Sequence, residues 1–166
     1  MNVSQAKEAF RLLTKEHFNS HTVIFDKQSR TAKPNIPLVT ISPGNVRRHR
    51  AENEVFSENG TEGFYLSRLP LTLDLFTNGE PVYDDNGEEI GRNDTAVDEM
   101  LLFENFLNSQ YVTLWCNKND VSIVIEGDTQ NLTGIVNDTT YEFRSRLIVN
   151  LYFTQKTVGE KAGSSA

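Results

Sequence analysis

One stretch near the C-terminus constrains the fold of this chain more than any other. From Asp138 to Thr154 almost all odd positions are apolar, while the even positions include Glu142, Arg144, Arg146 and Asn150. Because side chains on a strand alternate between its faces, this pattern predicts one long strand with a dry face and a wet face. Strands usually have roughly 5–6 residues, so this one must cross a whole sheet or project beyond it. It contains no credible nucleophile or metal ligand, which favours a scaffold on which other proteins dock.

Two helices are predicted from apolar spacing and capping residues. The first begins with Ser4 as its cap and ends near Phe18, and the second runs from Thr95, paired with Asp98 in a variant capping box, to about Asn108. The second helix is apolar around most of its circumference, which indicates burial on two sides. Its own sheet covers one side, and either a neighbouring subunit or a crowded monomer core covers the other. The candidate interface residues on it are Phe103 and Phe106.

The other strands are predicted over the ranges His21–Phe25, Leu38–Ser42, Gly63–Asn78 and Val121–Glu126, with a short strand or extended arm at Tyr111–Cys116. Within the longest of these, Pro70 predicts an edge position or a bulge, and therefore a free side near the strand's start. The acidic segment Glu52–Glu62 is expected to be a loop.

Asn86 and Gly87, flanked by Val82 and Ile90, have the turn chemistry of a tight β-hairpin. The whole order of elements predicts an α+β domain: a mainly antiparallel β-sheet with helices packed on one face and a protruding β-hairpin. We expect a single domain over residues 1–158 and a disordered tail over residues 159–166.

Charge is distributed unevenly along the chain. The formal net charge is −7, yet residues 1–50 contain nine Lys or Arg against three Asp or Glu, so the remainder carries −13. An acidic total argues against general nucleic-acid binding through phosphate contacts. The two sectors are either solvated loops or surfaces that meet between neighbouring copies. The charged candidates for such interfaces are Arg47, Arg48, Arg50, Asp84, Asp85, Arg144 and Arg146.

No motif for catalysis or cofactor binding is present. The sequence lacks a nucleophile elbow, a P-loop, a zinc-protease motif and a paired-cysteine motif. The single cysteine, Cys116, follows Trp115 in an apolar run and is interpreted as a core thiol. We therefore predict no catalytic residue, no metal and no cofactor, and no apolar run approaches the roughly 20 residues of a membrane span.

A family resemblance rests on five phrases in a fixed order. They are PNIPLVTISPGNVRRHR, GFYLSRLPLTLDLFTNG, DTAVDEMLLFENFLN, VSIVIEGDTQNLTGIV and YEFRSRLIVNLYFTQ. Together they span most of Phe25 to Gln155 and resemble the neck or tail terminator proteins of long-tailed bacteriophages. The closing phrases, Tyr-x-Phe-Arg-Ser-Arg and Asn-Leu-Tyr-Phe, contribute most to the likeness.

The resemblance implies a structural subunit of the virion that forms a ring, typically of six, at the head-proximal end of the tail. Such a ring stops growth of the tail tube and joins the tail to the neck. The implied partners are copies of the chain itself, the tail tube protein, neck, connector or portal proteins, and genome DNA that passes through a channel without sequence-specific binding. Assembly is expected in the host cytoplasm, and no membrane is involved.

Three alternatives remain at this point. The chain could be a head-tail connector or tail-completion subunit in an adjacent layer. Outside phage assembly, it could be a small monomeric protein-binding module that uses a free strand edge, or a hydrolase whose site has no recognisable motif. Oligomeric state separates a ring subunit from a monomeric module, and turnover abolished by a single substitution would indicate an enzyme.

Overall fold

The computed structural model describes the backbone of residues 1–26, 35–57, 60–137 and 140–158, with side chains except at 50–57, 60–62, 135–137, 140–141 and 157–158. The helices are Val3–His17 (α1), Ala96–Leu107 (α2) and Gln110–Asn119 (α3). The strands are Thr22–Phe25 (β1), Leu38–Pro43 (β2), Arg47–Ser57 (β3), Gly60–Thr77 (β4), Glu80–Tyr83 (β5), Glu89–Asn93 (β6), Val121–Asn131 (β7), Gly134–Asn137 (β8) and Thr140–Val158 (β9). The predicted disordered tail lies outside the described residues.

Two long antiparallel strands, β4 and β9, form the centre of the main sheet. They pair from Glu62 opposite Val158 to Thr77 opposite Phe143. The strand order is β1-β2-β4-β9-β7, with β3 paired to β4 and β8 paired to β9. Only β1 and β2 run parallel among the pairs in the described chain. The predicted long strand is therefore confirmed, and it crosses the sheet.

One face of this sheet is buried under the helices. It presents the alternating residues Leu69, Leu71, Leu73 and Leu75 of β4 and Leu147, Val149, Leu151 and Phe153 of β9. Side chains of α1, α2 and α3, including Phe10, Met100 and Val112, belong to the same buried cluster. The predicted α+β fold with helices on one face is confirmed. Among the described residues, no helix combines the length and apolarity that a bilayer span requires.

The segment from Glu52 to Glu62 is not the predicted loop. Its described residues continue β3 and begin β4, which pair with Glu54 opposite Gly63 and Ser57 opposite Gly60. The connection at residues 58–59 lies outside the described residues. The prediction failed because the charged side chains of this segment hide the strand alternation, whereas the backbone pairing extends the neighbouring strands.

Tyr111–Cys116 is also not a strand or an arm, because it lies within α3. The Ser109 hydroxyl accepts a hydrogen bond from the Val112 amide at 3.3 Å and caps the helix. Val112 is buried and Trp115 and Cys116 pack against the core, whereas Tyr111 and Leu114 are exposed, so the helix turns one face toward the core. The β-branched and aromatic composition favours a strand locally, but this packing decides the outcome.

The free side predicted near Pro70 does not exist, because the start of β4 pairs with both β3 and β9. The Pro70 carbonyl accepts a hydrogen bond from the Gly44 amide at 2.8 Å. A strand residue directs its carbonyl and its amide nitrogen to the same side, so the missing N–H faces the gap between β2 and β3. A Cβ at Gly44 would stand 2.7 Å from Pro70 Cγ, which explains the glycine.

The side-chain capping of α1 and α2 differs from that predicted. In α1 the cap is Asn2, not Ser4: its side chain accepts from the Gln5 amide at 2.8 Å, and the Gln5 side chain accepts from the Asn2 amide at 2.9 Å. In α2 Thr95 occupies the predicted N-cap position, but the box with Asp98 does not form. Instead the Asp94 carboxylate accepts from the Ala96 amide at 3.0 Å. Both helices nevertheless begin within two residues of the predicted positions.

Candidate interface surfaces

A row of apolar side chains lies uncovered on α2 and α3. Leu102, Tyr111 and Leu114 are 61%, 54% and 59% exposed. Phe106, one turn after Leu102, is half-buried, and its ring centroid lies 6.0 Å from that of Tyr111. We call the set Leu102, Phe106, Tyr111 and Leu114 the apolar helix strip. The strip is an uncovered apolar surface that extends from α2 to α3.

The two phenylalanines predicted on this helix have different environments. Phe103 is completely buried and belongs to the core together with Met100 and Leu107. Phe106 borders the apolar helix strip. Leu102, Tyr111 and Leu114 were not among the predicted residues. Their helical spacing is visible in the sequence, because Phe106 follows Leu102 by four residues and Leu114 follows Tyr111 by three. The missing information was which apolar face turns to the core.

Aromatic packing at the end of α1 supports the strip. The His17 ring lies 5.3 Å from Phe103 and 5.1 Å from Phe106, between centroids. Burial, assisted by the charge of His21, lowers the pKa of His17 and favours its neutral form. The neighbouring Glu16 carboxylate accepts a hydrogen bond from the Tyr111 hydroxyl at 2.6 Å. The end of α1 is thereby connected to both α2 and α3.

A second connection joins the start of β1 to the first turn of α2. His21 Nε2 lies 3.6 Å from Glu99 Oε1, and the Thr95 hydroxyl donates to Glu99 Oε2 at 2.7 Å. Burial raises the pKa of Glu99, but the nearby His21 ring and hydrogen bonds from Thr95 and Thr77 outweigh it, so the pKa is lowered overall. The charged carboxylate therefore fixes the position of α2 against the sheet.

The predicted interface arginines of β9 make contacts inside the subunit. Arg146 lies opposite Asp74 of β4, with its Nε 2.8 Å from Asp74 Oδ1, and Arg144 Nη2 lies 2.8 Å from Asp74 Oδ2. The Arg144 guanidinium also covers the Phe76 ring at 5.0 Å. The hydrogen bond that Arg146 donates to Asp74 raises the pKa of Arg146. Since Asp74 is only 5% exposed, this cluster holds β4 to β9 on the face opposite the helices.

The predicted hairpin is confirmed as a separate two-stranded sheet of β5 and β6. Asp84 shapes its turn: the Asp84 carbonyl accepts from the Gly87 amide, and the Asp84 carboxylate accepts from the Asn86 and Glu88 amides. Gly87 has a φ of 79°, which suits glycine. Asp85 is exposed at the turn, so one predicted acid builds the turn and the other faces outward.

The predicted basic cluster lies on β3. Arg47 stands opposite Arg68 of β4, and the Arg48 guanidinium covers the Tyr65 ring at 5.1 Å. Arg47 and Arg48 are exposed, and the side chain of Arg50 lies outside the described residues. Arg68 was not among the predicted residues, because its pairing with Arg47 depends on the strand register. Side chains alternate between the two faces of a strand, so Arg47 and Arg68 lie on one face, while Arg48 and Tyr65 lie on the face that carries the helices. We call Arg47 and Arg68 the cationic patch.

Three features of the described part of the chain bear on chemical reactivity. No group of three or more His, Cys, Asp or Glu side chains there could hold a metal ion. Burial raises the pKa of the Cys116 thiol, which lowers its reactivity. A cavity of about 180 Å³, lined by Met1, Asn2, Arg48, Gln155 and Lys156, is below the roughly 300 Å³ of typical ligand pockets.

Comparison with known families gives one result that covers nearly the whole chain. The model of a family described as phage neck terminator protein matches residues 7–163. The match includes every strand and helix from α1 onward except the first four residues of α1. No curated protein matches the chain.

Proposed function

The chain belongs to the phage neck terminator protein family, and on that premise we propose that its subunits form a ring that ends the tail tube at its head-proximal end. The family makes it a structural protein of the virion neck that contacts other virion proteins. In our proposal the ring has six copies, assembles in the host cytoplasm and joins the tail to the neck or portal. We propose no catalytic activity, in keeping with a structural family.

The apolar helix strip is the observation that carries the ring. Large apolar side chains grouped on a surface mark sites of protein contact. In this subunit Leu102, Tyr111 and Leu114 are each more than half exposed. A closed ring requires two different surfaces on each subunit, one for each neighbour. We assign the strip to one of these surfaces.

The remaining partners follow from position in the particle. In the proposed arrangement one end of the ring contacts the tail tube protein and the other contacts neck, connector or portal proteins. Genome DNA passes through the central channel without sequence-specific binding. A subunit with a net charge of −7 suits such passage, because like charges discourage adhesion of phosphates.

The test replaces one residue of the strip. We expect Leu102→Lys to abolish ring formation, because it places a charge in the proposed contact, while the melting temperature stays unchanged since the side chain is exposed. Leu102→Met is the matched control, which keeps an apolar side chain and a good helix former, and should form rings. Native mass spectrometry measures the number of subunits, and negative-stain microscopy of isolated tails shows whether the ring caps them.

The proposal predicts a six-subunit species for the wild-type chain, alone or on the tip of the tail tube. A wild-type chain that remains monomeric at every concentration and also fails to bind isolated tails would contradict it. Rings of Leu102→Lys indistinguishable from wild type would remove the strip from the interface.

A further inference from the structure

Two arginines face each other across β3 and β4 without a described acid between them. Arg47 and Arg68 are register partners. Directly opposite side chains in an antiparallel pair stand about 5 Å apart at Cβ, where like charges destabilise the pairing. Neither forms an ion pair with any side chain that the structure describes, and the buried Nε of Arg68 has no hydrogen-bond partner there. An external anion would relieve this repulsion.

The rings of Tyr152 and His49 lie beside the cationic patch. Tyr152 of β9 is the register partner of Arg68, and its ring centroid lies 6.5 Å from that of His49. His49 is exposed and lies two residues from Arg47, on the same face of β3. The patch therefore offers positive charge together with flat apolar surface. A partner segment that combines carboxylates with apolar side chains fits this combination.

The hairpin of β5 and β6 has those properties. From Glu80 to Asp94 it contains six acids and one base: Glu80, Asp84, Asp85, Glu88, Glu89, Asp94 and Arg92. Tyr83 and Ile90 are 59% and 66% exposed, and all of β6 is exposed. An isolated two-stranded hairpin is at best marginally stable in water. The described residues of its own subunit therefore leave the hairpin uncovered.

The two features lie at different places along the same strand. Arg68 and Thr77, which precedes the hairpin, are both in β4 and are separated by nine residues. At about 3.3 Å per residue, this places them about 30 Å apart. Complementary surfaces separated in this way on one subunit join successive copies head to tail, and such contacts close into a ring when the rotation permits.

We propose that the hairpin of each subunit docks on the cationic patch of the next copy. Asp85 and the neighbouring carboxylates pair with Arg47 and Arg68, and Tyr83 and Ile90 pack against the aromatic rings beside the patch. This inference rests on the proposed ring and deepens it, because the contact gives every subunit a donor side and an acceptor side. The unpaired arginines and the uncovered hairpin then have a common explanation.

The test reverses charge on one surface at a time. One variant carries Asp85→Lys and Glu88→Lys in the hairpin, and the other carries Arg47→Glu and His49→Glu on the face of the patch. All four side chains are exposed, so both variants should melt at the wild-type temperature. We expect each variant alone to associate at least about tenfold more weakly than wild type.

An equimolar mixture of the two variants supplies the decisive comparison. In a ring of alternating subunits, each reversed surface meets its reversed complement and each native surface meets its native complement. The mixture should therefore assemble at wild-type concentrations, and native mass spectrometry should show equal numbers of both variants. Single variants that assemble normally, or folded variants whose mixture fails to assemble, would overturn the hairpin contact while the ring itself stands.

Isolated tails provide the same test when the ring forms only on the tube. A zero-length carbodiimide reagent should join hairpin carboxylates to the Lys156 amine, which lies beside Arg48 at the cavity. Lys156 pairs with Phe64, thirteen residues before Thr77 on β4, or about 43 Å along the strand. The hairpin strands, of four and five residues, span only about 17 Å, so such a product joins two copies. Absence of this cross-linked product would overturn the proposed hairpin contact. A patch that binds a short DNA duplex and does not affect ring association would overturn it too. Absence of the chain from isolated tails would overturn the proposed function as well.

Discussion

Asp74 illustrates how one carboxylate organises a polar face at the centre of the sheet. Its two oxygens accept hydrogen bonds from Arg144 and Arg146, at distances from 2.8 to 3.2 Å. The arginines are partly exposed, whereas Asp74 is nearly buried. Simultaneous reversal of both arginines to Glu would place three carboxylates together. We therefore expect that double variant to unfold, so it cannot report on assembly.

Replacing Asp74 alone gives a measurable version of this role. We expect Asp74→Asn to lower the free energy of unfolding by about 2 kcal/mol, because it weakens charged hydrogen bonds to both arginines. Urea denaturation followed by circular dichroism measures the change. Asp128→Asn removes an exposed carboxylate from β7 and serves as the control. Equal stability of both variants would show that the Asp74 cluster contributes nothing.

His17 makes the folded subunit sensitive to acid. Its pKa is lowered in the folded state by burial and by His21, so below about pH 6.5 the unfolded chain binds a proton that the folded chain resists. Stability rises with pH wherever the unfolded state binds more protons, and the free energy of unfolding should therefore fall as the pH drops from about 6.5. Glu99, whose pKa is also lowered, adds a further loss below about pH 4.5.

Substitution isolates the histidine contribution. We expect His17→Phe to flatten the stability profile between about pH 6.5 and 5, since the titrating group is gone and an aromatic ring remains against Phe103 and Phe106. Urea titrations at several pH values measure the slope. His49→Phe changes an exposed histidine on β3 and serves as the control. An unchanged slope in His17→Phe would contradict the assignment.

At the scale of elements, sequence patterns predicted best where local and tertiary preferences agree. The alternation in β9 and the Asn86-Gly87 turn each point to one structure, and both form. In α3 the strand-favouring side chains of Tyr111 and Val112 oppose a helix that buries Val112 in the core. A local pattern cannot decide such a conflict, because the outcome depends on what packs above the segment.

The N-cap residue Ser109 is the local sequence signal that favours a helix for α3. Because the Ser109 hydroxyl satisfies the Val112 amide, we expect Ser109→Ala to lower the free energy of unfolding by about 1 kcal/mol. Ser122→Ala, at an exposed position of β7, is the control and should lie within about 0.5 kcal/mol of wild type. Chemical denaturation of the two variants compares them directly. A Ser109→Ala variant as stable as the control would mean that the cap is dispensable.

The candidate surfaces were only partly predictable for a related reason. Arg47, Asp84 and Asp85 are visible as charge clusters in the sequence. The facing of Arg47 and Arg68 is not, because it requires the register of β3, most of which was interpreted as a loop. Leu102 could not be separated from Phe103 either, since adjacent apolar residues on a helix point in different directions and only the packed structure shows which one is covered.

At the scale of the whole molecule, three features point outward from a well-covered core. The apolar helix strip lacks a cover, the hairpin is exposed, and the cationic patch lacks an acid partner among the described side chains. A closed ring of identical subunits addresses all three together, since each subunit then covers its neighbour. Membership of the phage neck terminator family supports the same arrangement.

A reconstruction of the intact phage neck by electron cryomicroscopy tests the central claim most directly. We predict a ring of six copies of this chain between the tail tube and the neck or portal, with Leu102 and Leu114 covered by an adjacent protein chain. A particle that holds the chain as a single copy, or that holds it away from the head-proximal end of the tail, would contradict the account.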